Sequence, residues 1–195
     1  LTYWYQIKEL LNVCPKKVLE IGAGSGMVAA YLTSLGISLE TLDINPGLNP
    51  THVGSVLDLS KVVGLRQYDL ILCARVLHHL PFEKFGEILD ELHKVMLDGG
   101  HLILTLPRED FSLYFMFRYT SSPIRTWRIP LPLFIKRVFL WKNTRSGLWK
   151  INDSQEHSLS LLRDKIISRF KILNEYCVPE DSAHYLLVLQ KETKR

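Results

Sequence analysis

Cysteine is scarce. Cys14, Cys73 and Cys177 are the only three in 195 residues, and they lie far apart with no C-x-x-C spacing. That usage excludes a disulfide scaffold and argues against a paired-thiolate metal site, so no metal is expected. It fits a reducing interior, and a cytoplasmic location is expected. Long hydrophobic runs are missing as well: no stretch reaches the roughly 18 apolar residues that a bilayer-crossing helix needs. No charged-then-apolar leader opens the sequence. Residue 1 is Leu and not Met, which leads us to expect a segment upstream of it. Internal repeats and low-complexity tracts are absent too.

What is present is an apolar fraction of 47%, enough for one α/β domain and too little chain for two, so 1–195 is expected to be a single domain. The net charge of +4 is unevenly spread. Residues 108–150 hold nine Lys or Arg against only Glu109 and Asp110, a local charge of +7, and the rest of the chain sums to −3. The basic character is local.

Apolar runs and helical periodicities alternate. Lys17-Val18-Leu19-Glu20-Ile21 predicts a strand, and residues 25–35 a helix ended by Gly36. Strands are expected at 39–44, before the turn signal Asn45-Pro46-Gly47, and near 52–56. Tyr68-Asp69-Leu70-Ile71-Leu72-Cys73 is almost wholly apolar, as a strand covered on both faces should be. Phe82, Phe85, Leu89, Leu92 and Met96 make one face of a helix, with Pro81 in its first turn and Gly99-Gly100 as its stop. A strand at 101–106 follows. After 108–150, a helix is expected at 157–170 and strands at 171–177 and 183–190, the last two as an antiparallel hairpin at the sheet edge. The alternation predicts a doubly wound, mostly parallel sheet with right-handed crossovers.

Glu20-Ile21-Gly22-Ala23-Gly24-Ser25-Gly26 stands where the first strand turns into the first helix. Glycines there permit positive φ and let a flat ligand approach the backbone. A dinucleotide fingerprint would need a glycine at 27, where the chain has Met27. Glu20 is a poor neighbour for a pyrophosphate and a good one for an ammonium group. Asp43, ending the second strand, can accept from both hydroxyls of a ribose.

These segments resemble the class I S-adenosylmethionine-dependent methyltransferases, in particular the small-molecule group of the ubiquinone and menaquinone biosynthesis type. Val18 to Gly26 is similar to that family's first motif. The resemblance implies that Glu20, Gly22, Ala23, Gly24 and Gly26 hold the methionine half of S-adenosyl-L-methionine, that Asp43 and Ile44 hold its ribose, and that Asp58 and Leu59 meet the adenine. Tyr68 to Pro81 looks like the family's fourth-strand motif, which brings Ala74 to the cofactor, and Leu97 to Leu102 continues the likeness. The implied fold is a Rossmann-like, three-layer α/β/α domain with a seven-stranded sheet whose C-terminal strand is antiparallel.

A sulfonium methyl group is already electrophilic, so alignment and exclusion of water matter more than a nucleophilic residue. A hydroxyl acceptor would profit from a general base, and histidine titrates in the right range. His79, just beyond the fourth strand, is the first candidate. His157, beside Glu156, is the second. The His78-His79 pair could instead cap the following helix or pack beneath the loop, and Glu156-His157 could be an ordinary helix start with Glu favoured by the dipole. Arg75 could orient an acidic acceptor.

Ten of the chain's twenty aromatic residues, Trp127, Trp141 and Trp149 among them, fall in 108–150. The segment reads as an insertion that acts as a lid over an apolar acceptor pocket, or as a basic, aromatic element resting on a membrane surface. Stacking on nucleic acid is the least favoured use, because Ala74-Arg75-Val76 lacks the N-P-P-Y or D-P-P-Y segment of base-amino methyltransferases. The expected function is methyl transfer to a small-molecule or lipid-like acceptor. A nicotinamide-dependent oxidoreductase and a noncatalytic cofactor-binding module are the alternatives. The sequence does not indicate an oligomeric state.

Overall fold

A computed structural model describes residues 2–109, 112–117, 125–130, 148–152, 157–179 and 181–192, with backbone only for 112–117 and 125–130. The chain runs α1 (Thr2–Val13), β1 (Lys17–Ile21), α2 (Met27–Ser34), β2 (Ser38–Asp43), β3 (His52–Val53), α3 (Leu59–Val63), β4 (Tyr68–Ala74), α4 (Phe85–Val95) and β5 (Met96–Pro107). Two strands, β6 (Ser112–Phe117) and β7 (Arg125–Pro130), form a separate antiparallel pair. Then come α5 (Leu159–Ile167), β8 (Lys171–Val178) and β9 (Asp181–Gln190). The main sheet has seven strands in the order β3-β2-β1-β4-β5-β9-β8. Its strands pair in parallel from β3 to β5, and β9 runs antiparallel to both β5 and β8. The reversal of strand order between β1 and β4 opens a crevice at the carboxyl ends of the strands, the place where ligands bind in open α/β sheets.

Side chains alternate across the sheet with period two, and the two core clusters divide accordingly. Leu19, Ile71, Leu102 and Leu187 join α3, α4 and α5 through Leu59, Phe85, Leu92 and Leu162. Val18, Leu70, Leu72, Ile103 and Leu186 join α1 and α2 through Ile7, Leu10, Val28 and Leu32. This is the three-layer sandwich expected from the sequence, in which β4 is apolar on both faces because both are covered.

Three boundaries differ from those expected. The helix predicted to run to Gly99 stops at Val95, because Met96 is extended (φ −78°, ψ 144°) and pairs with Tyr68 as the first residue of β5. Gly99 and Gly100 instead shape an irregularity inside that strand. A Cβ on Gly100 would come within 2.8 Å of the Leu97 carbonyl oxygen and 3.2 Å of that of Asp69. The third strand ends at Val53, since the Ser55 hydroxyl accepts from Leu57 N–H and starts a short 3-10 turn. Trp149, read as part of the insertion, belongs to the core: it is buried, its indole N–H donates to the Leu80 carbonyl at 2.8 Å, and it meets Phe82 edge-on with ring centres 5.0 Å apart. Arg108, Glu109, Leu148 and Lys150 are described as well, and the side chains of 110–147 lie outside the described residues. Among the described residues, no helix is long and apolar enough to cross a membrane.

Candidate functional site: a cofactor cavity at the carboxyl edge of the sheet

At the β1 end, Gly22, Gly24 and Gly26 all have positive φ (84°, 50° and 70°). The chain reverses there before α2, and these angles are open to glycine at little cost. Gly22 N–H donates to the Leu42 carbonyl (2.8 Å), and Gly26 N–H to that of Ala23 (2.9 Å), which fixes the loop. Asp43 ties the loop to β2: its Oδ2 accepts from Ala23 N–H at 3.0 Å and its Oδ1 from Asn45 N–H at 2.9 Å. Each carboxylate oxygen can accept again, so Asp43 is oriented without being used up.

A cavity of about 740 Å³ opens above this loop. Of the residues expected to bind cofactor, Glu20, Gly22, Ala23, Gly24, Asp43, Ile44 and Ala74 line it. Gly26 does not; it sits at the N-terminus of α2 and starts the helix. Asp58 and Leu59 do not line it either. Leu59 is wholly buried in the core, and the Asp58 carboxylate pairs with Lys61 Nζ at 2.6 Å on the surface. The early end of β3 is the physical reason: Gly54, Ser55 and Val56 come to the cavity wall in their place. Asp58 occupies the N-cap position of α3, but its side chain makes no capping bond, and Ser60 N–H donates to Glu91 (2.8 Å) instead.

Glu20 is the most unusual group. It points to the same sheet face as Val18, is 6% exposed, and its Oε2 is buried with no hydrogen-bond partner. Burial alone pushes its carboxyl up to about 7. A carboxylate held dry and unpaired is costly unless a cationic donor joins it. The residues present therefore fit an amino-acid cofactor whose ammonium group meets Glu20 and whose ribose meets Asp43.

Arg75, Val76, His79 and Leu80 also line the cavity, with Val76 packed against Gly22 of the loop. Arg75 is exposed and left-handed (φ 58°), and its N–H donates to the Thr105 carbonyl at 2.9 Å. The two adjacent histidines part company. His79 is exposed and faces the cavity, whereas His78 is buried with an unpartnered Nδ1. Burial and the nearby His79, Arg75, Lys150 and His184 push His78 down to about 4, so it stays neutral. His157 does not line the cavity; it stacks on Trp149 (16° between planes) and meets Phe82 edge-on. Its expected partner Glu156 lies outside the described residues. The sequence reading missed Thr2, Tyr3 and Gln6 of α1, which close one side of the cavity.

A family model for a methyltransferase domain matches residues 6–149. A ubiquinone biosynthesis O-methyltransferase of Pseudomonas aeruginosa is 20% identical over 201 residues, covering 95% of this chain and 83% of that protein. Among solved structures, the N-methyltransferase NodS of Bradyrhizobium japonicum, in complex with S-adenosyl-L-homocysteine, aligns with a TM-score of 0.59 at 15% identity, covering 94% of this chain and 84% of that one. The 1,6-didemethyltoxoflavin-N1-methyltransferase of Burkholderia thailandensis aligns with a TM-score of 0.56 at 17% identity, covering 91% and 72%. With its glycine loop, the carboxylates of Glu20 and Asp43 in the cavity wall and a family match over most of its length, the chain belongs to the methyltransferase-domain family and is a class I enzyme that uses S-adenosylmethionine.

Proposed function

We propose that this enzyme methylates a small-molecule or lipid-like acceptor, at a hydroxyl group, in the part of the cavity walled by Arg75, His79 and Leu80. The observation that carries the reading is one cavity whose wall holds both carboxylates, Glu20 and Asp43, together with the exposed His79. Its similarity to an O-methyltransferase of ubiquinone biosynthesis supports an oxygen acceptor.

S-adenosylmethionine supplies an electrophilic methyl group when bound. The chain's own residues supply position and proton handling. Glu20 accepts from the ammonium, Asp43 from the ribose hydroxyls, and Ala74, being small, leaves room between them. His79 takes the proton from the acceptor hydroxyl; His78, buried and neutral, braces it with ring centres 4.1 Å apart.

Three measurements test the reading. S-adenosylhomocysteine should raise the melting temperature of the wild-type protein while NAD does not. Asp43→Ala should bind it at least about tenfold more weakly, since hydrogen bonds to a charged group contribute about 1.5–3 kcal/mol. A response to NAD instead would overturn the assignment of the cavity. His79→Ala should lower turnover on phenolic acceptors by about 10²-fold, the usual scale for a lost general base, with affinity for S-adenosylhomocysteine kept within about twofold. Loss of cofactor binding in that variant would make His79 a structural residue.

A further inference from the structure

We propose that Gln6, on α1, forms with Glu20 the subsite for the ammonium group of S-adenosylmethionine, which makes it a cofactor-binding residue outside the glycine motif. The proposal rests on the role given to Glu20 above.

Gln6 is 2% exposed, on the buried side of α1 beside Ile7 and Leu10. Leucine or methionine would fill such a position with no polar atom to satisfy. The amide nitrogen of Gln6 has a partner, since it donates to Thr105 Oγ1 at 3.4 Å. That leaves Oε1 as the free end, buried and without a hydrogen bond. Gln6 and Glu20 both line the cavity, and both hold a buried, unpartnered oxygen. A buried acceptor left unmade costs about 1–3 kcal/mol, so two in one cavity call for a shared donor.

Sheet register brings the surroundings together. Ala74 pairs with Thr105, and Glu20 pairs with Leu72, two residues before Ala74. Period two therefore puts Glu20, Ala74 and Thr105 on one sheet face at the carboxyl ends of β1, β4 and β5. This is the face that α1 covers. The helix is seated there by more than Gln6: Tyr176 Oη–H donates to Glu9 at 2.8 Å, and Thr2 Oγ1–H to Asp181 at 3.2 Å. Two oxygen acceptors, one of them a carboxylate, suit a ligand group that is cationic and carries several N–H bonds. An ammonium has three such donors and no acceptor.

The test compares three ligands by calorimetry: S-adenosylhomocysteine, its decarboxylated analogue that keeps the amine, and methylthioadenosine, which lacks both amine and carboxylate. Gln6→Met preserves side-chain length, and Gln6→Leu guards against a folding fault peculiar to one variant. Both should bind the two amine-bearing ligands about tenfold more weakly and methylthioadenosine unchanged. As a second readout, S-adenosylhomocysteine should slow amide exchange along α1 in the wild type, and do so less in the variants. Three results would overturn the proposal: no loss for any ligand, equal loss for all three, or loss for S-adenosylhomocysteine alone, which would put the amide on the carboxylate. Failure of the wild type to bind any of the three would instead bring down the role of Glu20 and the glycine loop, and the Gln6 assignment with it.

Discussion

Replacing Glu20 by Gln should make the ligand-free protein more stable above neutral pH and at the same time weaken its binding of S-adenosylhomocysteine. Burial raises the Glu20 carboxyl from 4.5 to about 7. The folded state thus holds a proton that the unfolded chain releases at lower pH, and stability is lost as pH rises from about 4.5 to about 7. Above that window the accumulated penalty is about 3 kcal/mol. Glutamine does not ionise, but its amide also needs partners, so a gain of about 2 kcal/mol is expected at pH 8 and none at pH 4. For a chain of this size that is a rise in melting temperature of roughly 4–8 °C. Ligand binding should move the other way. Wild-type affinity for S-adenosylhomocysteine should increase up to about pH 7, as the carboxylate forms and pairs with the ammonium, and Glu20→Gln should flatten that profile and bind about 10²-fold more weakly. A variant that is less stable at pH 8, or that keeps the pH-dependent affinity, would show that Glu20 has its partner within the protein.

Gly22→Ala should be the most damaging change in the loop. A Cβ there would lie 2.4 Å from Val76 Cγ2, and the residue holds φ +84°. Its N–H is tied to the Leu42 carbonyl, so the backbone cannot swing clear without giving up that bond. Left-handed strain and overpacking together cost about 2–4 kcal/mol, or roughly 4–16 °C in melting temperature. Gly26→Ala is the control: it shares the positive φ (70°), but nothing stands within 4 Å of its Cβ, so only the strain of about 1 kcal/mol remains. Trimming Val76 to alanine in the Gly22→Ala background should recover part of the loss. Equal effects of the two glycine substitutions would mean that the contact with Val76 is unimportant.

Much of this arrangement is legible in the residues because local and global signals agree. The glycines of 22–26 need positive φ, and the apolar run 68–73 needs cover on both faces. Asp43 ends a strand whose neighbour carries the loop. Legibility fails where a tertiary contact decides. Nothing within 92–100 says that Met96 will leave the helix to pair with Tyr68; that is settled by the neighbouring strand. Asp58 matches an adenine-binding position in order and spacing, yet the Ser55 turn carries it to the surface, where Lys61 takes it. α1 has no clean apolar stripe, because Gln6 and Glu9 interrupt its buried side. Gln6 bonds across 99 positions to Thr105, and Glu9 across 167 to Tyr176. The polar residues that hide the helix from a periodicity reading are the ones that attach it to the sheet.

The insertion of β9 between β5 and β8 has a consequence for how the molecule is made. Residues 181–190 fill an interior slot of the sheet, so β8 has no neighbour to dock on, and β5 keeps a bare, greasy rim of Ile103, Leu104 and Leu106, until that last strand has left the ribosome. Nascent chains stalled short of it carry an adhesive edge that invites pairing with other chains. Shortening the polypeptide into β9 should therefore yield insoluble material, whereas extending it beyond Gln190 leaves the slot filled.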